Sequence, residues 1–483
     1  MKDRVNIFSF RKVVLFIFLV FSCIVANSQR VWTLEDCINY AFDNNLDIKK
    51  QLLTVESNKQ LALQSTLAML PTINADGTNV WNFGQTIDLY TNSFASSTVR
   101  SNNFYVQGGI TLFGGLTKMN TVRENKINLL ASQYDLDVMK NSIALSVAGY
   151  YLDILFNHEL LTVAQDQLAI TQDQVKRISK MVDAGSSAKG DLLNIQAQES
   201  TEELTVVDAE NKLNISYLTL QQLIDLEVSK DFRIEKPNLK SVDTVRQLVP
   251  PDKIFEYAVL ARPEIKSADL RVRSAERNLD IQRGTLLPTL SLGGSWGTGY
   301  SGASKEINTD IKPDTTLVPF GFTQTTHEPV LYPEINYQYR VKSFSDQLKD
   351  NNNKSVGFYL SIPIFNGWQA HTNISRAKIL KNQAELDLEA QKRDLRKSIE
   401  QSYADAIASL KKYYSSLQKL KAQEESFKYT QQKFDVGMMT AFDYNNAKKD
   451  LTKAESDLLQ AKYDYIFKVT ILDFYMGKPI SIK

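Results

Sequence analysis

The 483-residue chain is poor in cysteine, in histidine and in any excess of charge. Two cysteines, Cys23 and Cys37, exclude a disulfide-built scaffold. The three histidines, His158, His327 and His371, share no ligand spacing, so no metal centre is expected. Lys and Arg number 56 against 55 Asp and Glu, which excludes a nucleic-acid binder driven by bulk charge. Beyond residue 28 there is no run of 18 apolar residues, so no spanning helix is expected in the mature chain. Proline is absent between Pro71 and Pro237 and again between Pro363 and Pro479. What remains, 43% hydrophobic and 23% charged, is the composition of a folded protein.

The N-terminus has the form of a secretory leader. Lys2, Arg4, Arg11 and Lys12 precede an apolar run from Val13 to Val25, followed by the small and polar Ala26-Asn27-Ser28. Residues 1–28 are therefore expected to be removed. A lipoprotein in which Cys23 is acylated is the alternative, against which bulky Phe21 stands two positions upstream.

The remainder is duplicated. At an offset of 217, Tyr40-Ala41 recurs as Tyr257-Ala258, Ile48-Lys49 as Ile265-Lys266, and Leu70-Pro71-Thr72 as Leu287-Pro288-Thr289. At 252, Lys126 pairs with Lys378, Tyr151 with Tyr403, Asp183 with Asp435, Gly185 with Gly437, Asp191 with Asp443 and Asn194 with Asn446. The change of offset places an insertion of 35 residues between Thr289 and Phe365. The expected repeats are 29–250 and 251–483.

Each copy runs in one order: helix (33–68, 251–285), two alternating segments, a long helix, a glycine turn and a second helix. In the proline-free stretches apolar residues step by three or four, as in Leu395, Ile399, Tyr403, Ile407 and Leu410. Long helices are expected at 116–182 and 368–434, each about 100 Å at ~1.5 Å per residue. The alternating segments predict strands at 72–84, 103–113, 288–300 and 355–365. Phe104, Val106, Gly108, Ile110 and Leu112 share one face, as do Val356, Phe358, Leu360, Ile362 and Ile364. Such strands suit a membrane β-barrel and, by alternation alone, equally the edge of a soluble sandwich. Four strands cannot close a barrel by themselves, so in a membrane several chains would share it.

This order, twice over, resembles the TolC-like outer-membrane efflux proteins. The most specific segment is Phe434-Asp435-Val436-Gly437-Met438-Met439-Thr440-Ala441-Phe442-Asp443, similar to the family's turn between the long and following helices. Phe113-Gly114-Gly115 and Phe365-Asn366-Gly367 resemble its strand-to-helix junction. The resemblance implies a mainly α protein with a membrane β-barrel. It would be a homotrimer with twelve barrel strands and an α-helical barrel in the periplasm of a Gram-negative cell. An equatorial region would come from 227–250 and the tail 477–483. The implied function is a passive outer-membrane export duct of a tripartite efflux or type I secretion system, opened by a periplasmic adaptor that links it to an inner-membrane pump. Outer-membrane lipid is the remaining partner. No enzyme, cofactor, metal or nucleic acid enters this reading.

The resemblance also directs attention to the helical turns. Gly185 and Gly437 suit left-handed helix ends, and with Val436 and Thr440 they would form the adaptor-docking tips. Asp191 and Asp443 stand where the family's acidic residues line the periplasmic constriction, and as early helix residues they also complement the dipole. Phe434, Met439 and Asn446 occupy positions where the family's gate carries tyrosine, arginine and a second aspartate. Closure here is accordingly expected either to rest on apolar packing rather than charge pairing or to take place at a gate elsewhere. Asp183 and Asp435 are expected on a solvated face, and the insertion, 301–354, as a plain surface loop. The rival reading is a secreted periplasmic coiled-coil scaffold that conducts nothing.

Overall fold

The computed structural model describes residues 31–88, 90–95, 98–227, 232–237 and 248–480. The leader with Cys23, most of the 227–250 segment and the last three residues lie outside the described residues. The described residues form two compact units, one within Met1–Asn58, Ile127–Val272 and Gln383–Lys483, the other within Lys59–Lys126 and Arg273–Asn382. Helix dominates, yet among the described residues no helix is long and apolar enough to cross a membrane.

Helices α1 (Leu34–Asn44) and α2 (Leu46–Leu67) replace the single expected helix 33–68, because the Asn45 side chain accepts from Asp47 N and Ile48 N and restarts the turn. Thr33 starts α1 through a capping box with Asp36. Helices α3 (Thr117–Asp183) and α4 (Lys189–Leu223) follow the first strands. In the second half α5 (Pro251–Ala261) and α6 (Pro263–Gly284) divide at Arg262, since Pro263 disfavours a helical residue before it. Later come α7 (Phe344–Asp350), α8 (Gln369–Asp435) and α9 (Ala441–Tyr475). Each long helix begins one residue after its expected start, as Leu116 (φ 61°) and Trp368 (φ 68°) are left-handed.

In the larger unit, Cys37, Ala41, Ile48, Val147, Ile154 and Leu220 are buried in one core, around Tyr151. The Tyr151 hydroxyl donates to Glu235 O at 2.6 Å, and burial pushes its pKa up. Short strands β1 (Val31–Trp32) and β6 (Arg233–Ile234) pair parallel beside it. A second core holds Ile254, Ala258, Ile265, Ile399, Ala406 and Leu472.

The other unit carries a four-stranded antiparallel sheet of β2 (Thr72–Asn82), β5 (Val99–Gly114), β7 (Thr289–Ser301) and β12 (Asn353–Ser361), in the order β12-β7-β5-β2. Strand β12 stops at Ser361, short of the expected 365, because Pro363 offers no amide donor. Where β5 gives way to α3, Gly115 (φ +60°) lies so close to Gly284 that an added Cβ would stand 2.1 Å from Gly284 O. A side chain there would push the two segments apart. Strands β3 (Thr86–Ile87) and β4 (Phe94–Ala95) pair in the β2–β5 connection.

The insertion departs from a plain loop. It holds β8 (Lys305–Ile307) paired with β11 (Tyr339–Val341), β9 (Asp314–Phe322) paired with β10 (Pro329–Asn336), and α7. Pro319, Pro329 and Pro333 hide these strands from sequence reading, although an edge position tolerates proline.

Candidate functional site

Sheet register sorts the side chains into two faces. Ile73 pairs with Gly108, Val106 with Trp296, Ile110 with Leu292, and Leu292 with Phe358, so these residues share one face. Thr72, Gln107, Thr111, Ser291, Ser295, Ser355 and Tyr359 share the other. The apolar face is bare: Ile73 is 74% exposed, Val356 80% and Phe358 70%. A soluble sheet packs such a face against a core. On the polar face Ser295 and Ser355 hydroxyls meet at 2.6 Å. Among the described residues strands β2 and β12 have one neighbour each, leaving two open edges.

The helical turns form the second candidate region. Gly185 N donates to Val182 O and Ser186 N to Met181 O, while Gly437 N donates to Phe434 O and Met438 N to Lys433 O. Both are Schellman endings, with Gly185 at φ +74° and Gly437 at φ +76°. Nothing lies within 4 Å of a Cβ built on either glycine, so the backbone sign alone demands the residue. Thr440 then caps α9, accepting from Asp443 N at 3.2 Å and donating to the Asp443 carboxylate at 2.7 Å. In the first turn Ser187 donates to Asp191 at 3.0 Å. Asp443 and Asn446 are exposed and Asp191 is half-buried, each aspartate third in its helix, where a carboxylate complements the dipole. Val436, Met438 and Phe442 are exposed, and Met439 is half-buried.

Phe434 packs its ring 4.7 Å from that of Tyr444, which Phe427 also covers at 5.3 Å. Tyr444 is buried, and Gln174 Nε2 donates to its hydroxyl. Desolvation pushes the Tyr444 pKa up. Asp435, though exposed, pairs with Arg177 at 2.5 Å and is not merely solvated. Two turns into α9, Lys448 is fully enclosed: its Nζ donates to Gln167 O at 2.8 Å, to Thr171 Oγ1, and to both Glu202 carboxylate oxygens at 3.3 Å. Burial lowers the Lys448 pKa, and Glu202 opposes that shift. Thus Gln167, Thr171, Gln174 and Arg177, along one side of α3, hold residues from α8 and α9.

Sequence reasoning missed Tyr444, Lys448 and their partners. Its available signal was the stripe Tyr444, Lys448, Leu451, Ala454, where a lysine takes an apolar position in a three-four spacing.

The family described as outer membrane efflux protein matches residues 37–225 and 256–478. The chain belongs to the outer membrane efflux protein family. Among curated relatives, outer membrane efflux protein BepC of Brucella suis is 19% identical over 74% of this chain and 67% of its own length. Outer membrane protein TolC of Vibrio cholerae is 23% identical over 63% of this chain and 60% of its own length. The crystal structure of CusC, described in terms of transmembrane channel formation, superposes with a TM-score of 0.72 at 17% identity, covering 92% of both chains.

Proposed function

We propose that this protein is the outer-membrane channel of a tripartite efflux or type I secretion system, a passive duct for cargo supplied from the inner membrane. The observation that carries this reading is the four-stranded sheet, apolar and bare on one face, polar on the other, and open at both edges. In lipid an open edge leaves amides and carbonyls unpaired at several kcal/mol each. Three copies joined β12 to β2 close a twelve-stranded barrel with the polar face inside. Equal element lengths support a duplicated chain: α1 and α5 have 11 residues, α2 and α6 have 22, α3 and α8 have 67, and α4 and α9 have 35.

The 67-residue helices, about 100 Å at ~1.5 Å per residue, suit an α-helical barrel crossing the periplasm. Their turns, with Gly185, Val436, Gly437 and Thr440, are the surface for a periplasmic adaptor. Asp191, Asp443 and Asn446 line the constriction, six carboxylates in a trimer, with Phe434 and Met439 behind them. A ring of that sign favours cations. The chain uses no cofactor and performs no bond chemistry. The decisive experiment is membrane fractionation followed by reconstitution: the protein stays in the outer membrane after salt and osmotic shock, and purified trimers conduct in planar bilayers. Release by osmotic shock as a soluble monomer would instead establish the scaffold reading.

A further inference from the structure

Residues 305–341 form one nested hairpin, with β8–β11 at the base and β9–β10 beyond it. The β9–β10 register pairs Leu331 with Pro319, Pro333 with Leu317 and Ile335 with Thr315, so these side chains share a face free of charge. Glu334 and Asn336, opposite Thr316 and Asp314, share the other with Tyr332, opposite Val318. The charge-free face is uncovered, with Leu317 63% and Ile335 50% exposed. A lone two-stranded hairpin is marginal in water. Its prolines remove amide donors, so whatever covers it meets the face and does not extend the strands.

A second bare patch lies at the same end of the sheet. The β5–β7 register sets Ser101 opposite Ser301, so the β2–β5 connection and the insertion emerge together. That connection exposes Phe83 at 80%, Ile87 at 60% and Phe94 at 81%. Both patches are firmly mounted. Buried Asp88 accepts from the Ser301 hydroxyl, pinning the connection to β7. Buried Gln347 of α7 bonds Ser301 N at 2.8 Å, Ser301 O at 3.0 Å and Lys342 O at 2.9 Å, fixing the base of the arm.

We infer that the β9–β10 arm clasps the β2–β5 connection of the next copy of this chain, laying its Leu317, Leu331 and Ile335 face on Phe83, Ile87 and Phe94. The inference rests on the trimeric barrel proposed above. The arm belongs to the strand pair at the β12 edge, and the receiving patch to the pair at the β2 edge. Joining β12 of one copy to β2 of the next brings an arm beside a foreign patch three times over. Each copy gives one arm and receives one, a head-to-tail contact that three-fold rotation closes.

The test uses the full chain in detergent. Leu331→Cys with Phe94→Cys, treated with a flexible bismaleimide, yields covalent dimers and trimers on denaturing gels, whereas either single variant yields monomers. Separately, Leu331→Glu or Phe94→Lys lowers the temperature at which trimers dissociate, and the two together restore it. Intact trimers that give no cross-link, or that cross-link through Leu331→Cys alone, overturn the clasp and leave the barrel standing. Wild-type protein that is monomeric in the same detergent overturns the barrel and the clasp with it.

Discussion

Lys448 shows what a single residue does in the helical region. Its ammonium is enclosed by Gln167, Thr171 and Glu202, with 3% of the side chain exposed against 12% for Glu202. Removing one partner of such a pair strands the other charge. Lys448→Met is expected to destabilise the packing of α3, α4 and α9 by about 3–5 kcal/mol, read as faster amide exchange around Glu202. Adding Glu202→Leu is expected to recover most of that loss. The pH dependence follows from the lowered Lys448 pKa. Between the folded value and the ordinary lysine value, the unfolded chain holds the extra proton, so this group's contribution to stability rises with pH there and is flat below. The melting temperature of the helical signal is expected to show that rise in wild type and not in Lys448→Met. The aspartates belong to a different question. If they ring the constriction, Asp191→Ala with Asp443→Ala weakens block by multivalent cations in planar bilayers. Unchanged block removes both from the pore.

Among the elements, the sheet makes the sharpest demand. Phe358 sits mid-strand on the apolar face and Ser355 on the polar face. Phe358→Arg is expected to cost about 2–4 kcal/mol near the bilayer midplane and to reduce trimer yield, whereas Ser355→Arg assembles normally and alters only conductance. Equal yields would place the apolar face away from lipid. The α8–α9 turn is tested at Gly437, whose φ of +76° strains any L side chain although the space around it is open. A bulky charged residue, as in Gly437→Glu, is expected to abolish export while trimers survive. Persisting export would move the adaptor contact elsewhere.

For the whole molecule, the proposed trimeric barrel makes stability and assembly one quantity. A sheet with two open edges has no resting place in lipid as a single chain, so the folded monomer is expected to be scarce at any detergent concentration. Light scattering and denaturing gels of unheated samples should both report trimers, with apparent stability rising with protein concentration. Within the chain, two cores follow the duplication. Cys37, Ala41, Ile48, Val147, Ile154 and Leu220 recur as Ile254, Ala258, Ile265, Ile399, Ala406 and Leu472, so two similar cores stabilise the larger unit.

By itself the sequence determined the family, the long helices and the two-faced strands. Local physics writes those features directly into residue order: proline is missing where amides must bond, apolar residues step by three or four in helices, and alternation of two marks strands. The positions of Gly185 and Gly437 were equally legible, because a helix ending in a left-handed turn selects glycine from its own backbone. Only the tertiary structure decided what meets across distance. Tyr444 and Lys448 look ordinary in the chain, and their partners lie more than 200 residues away on other helices. The arm of the insertion was hidden because strands containing Pro319 and Pro333 violate the usual composition, and only pairing in space makes a face of them. Contacts between distant segments depend on packing geometry, which no short window of residues encodes.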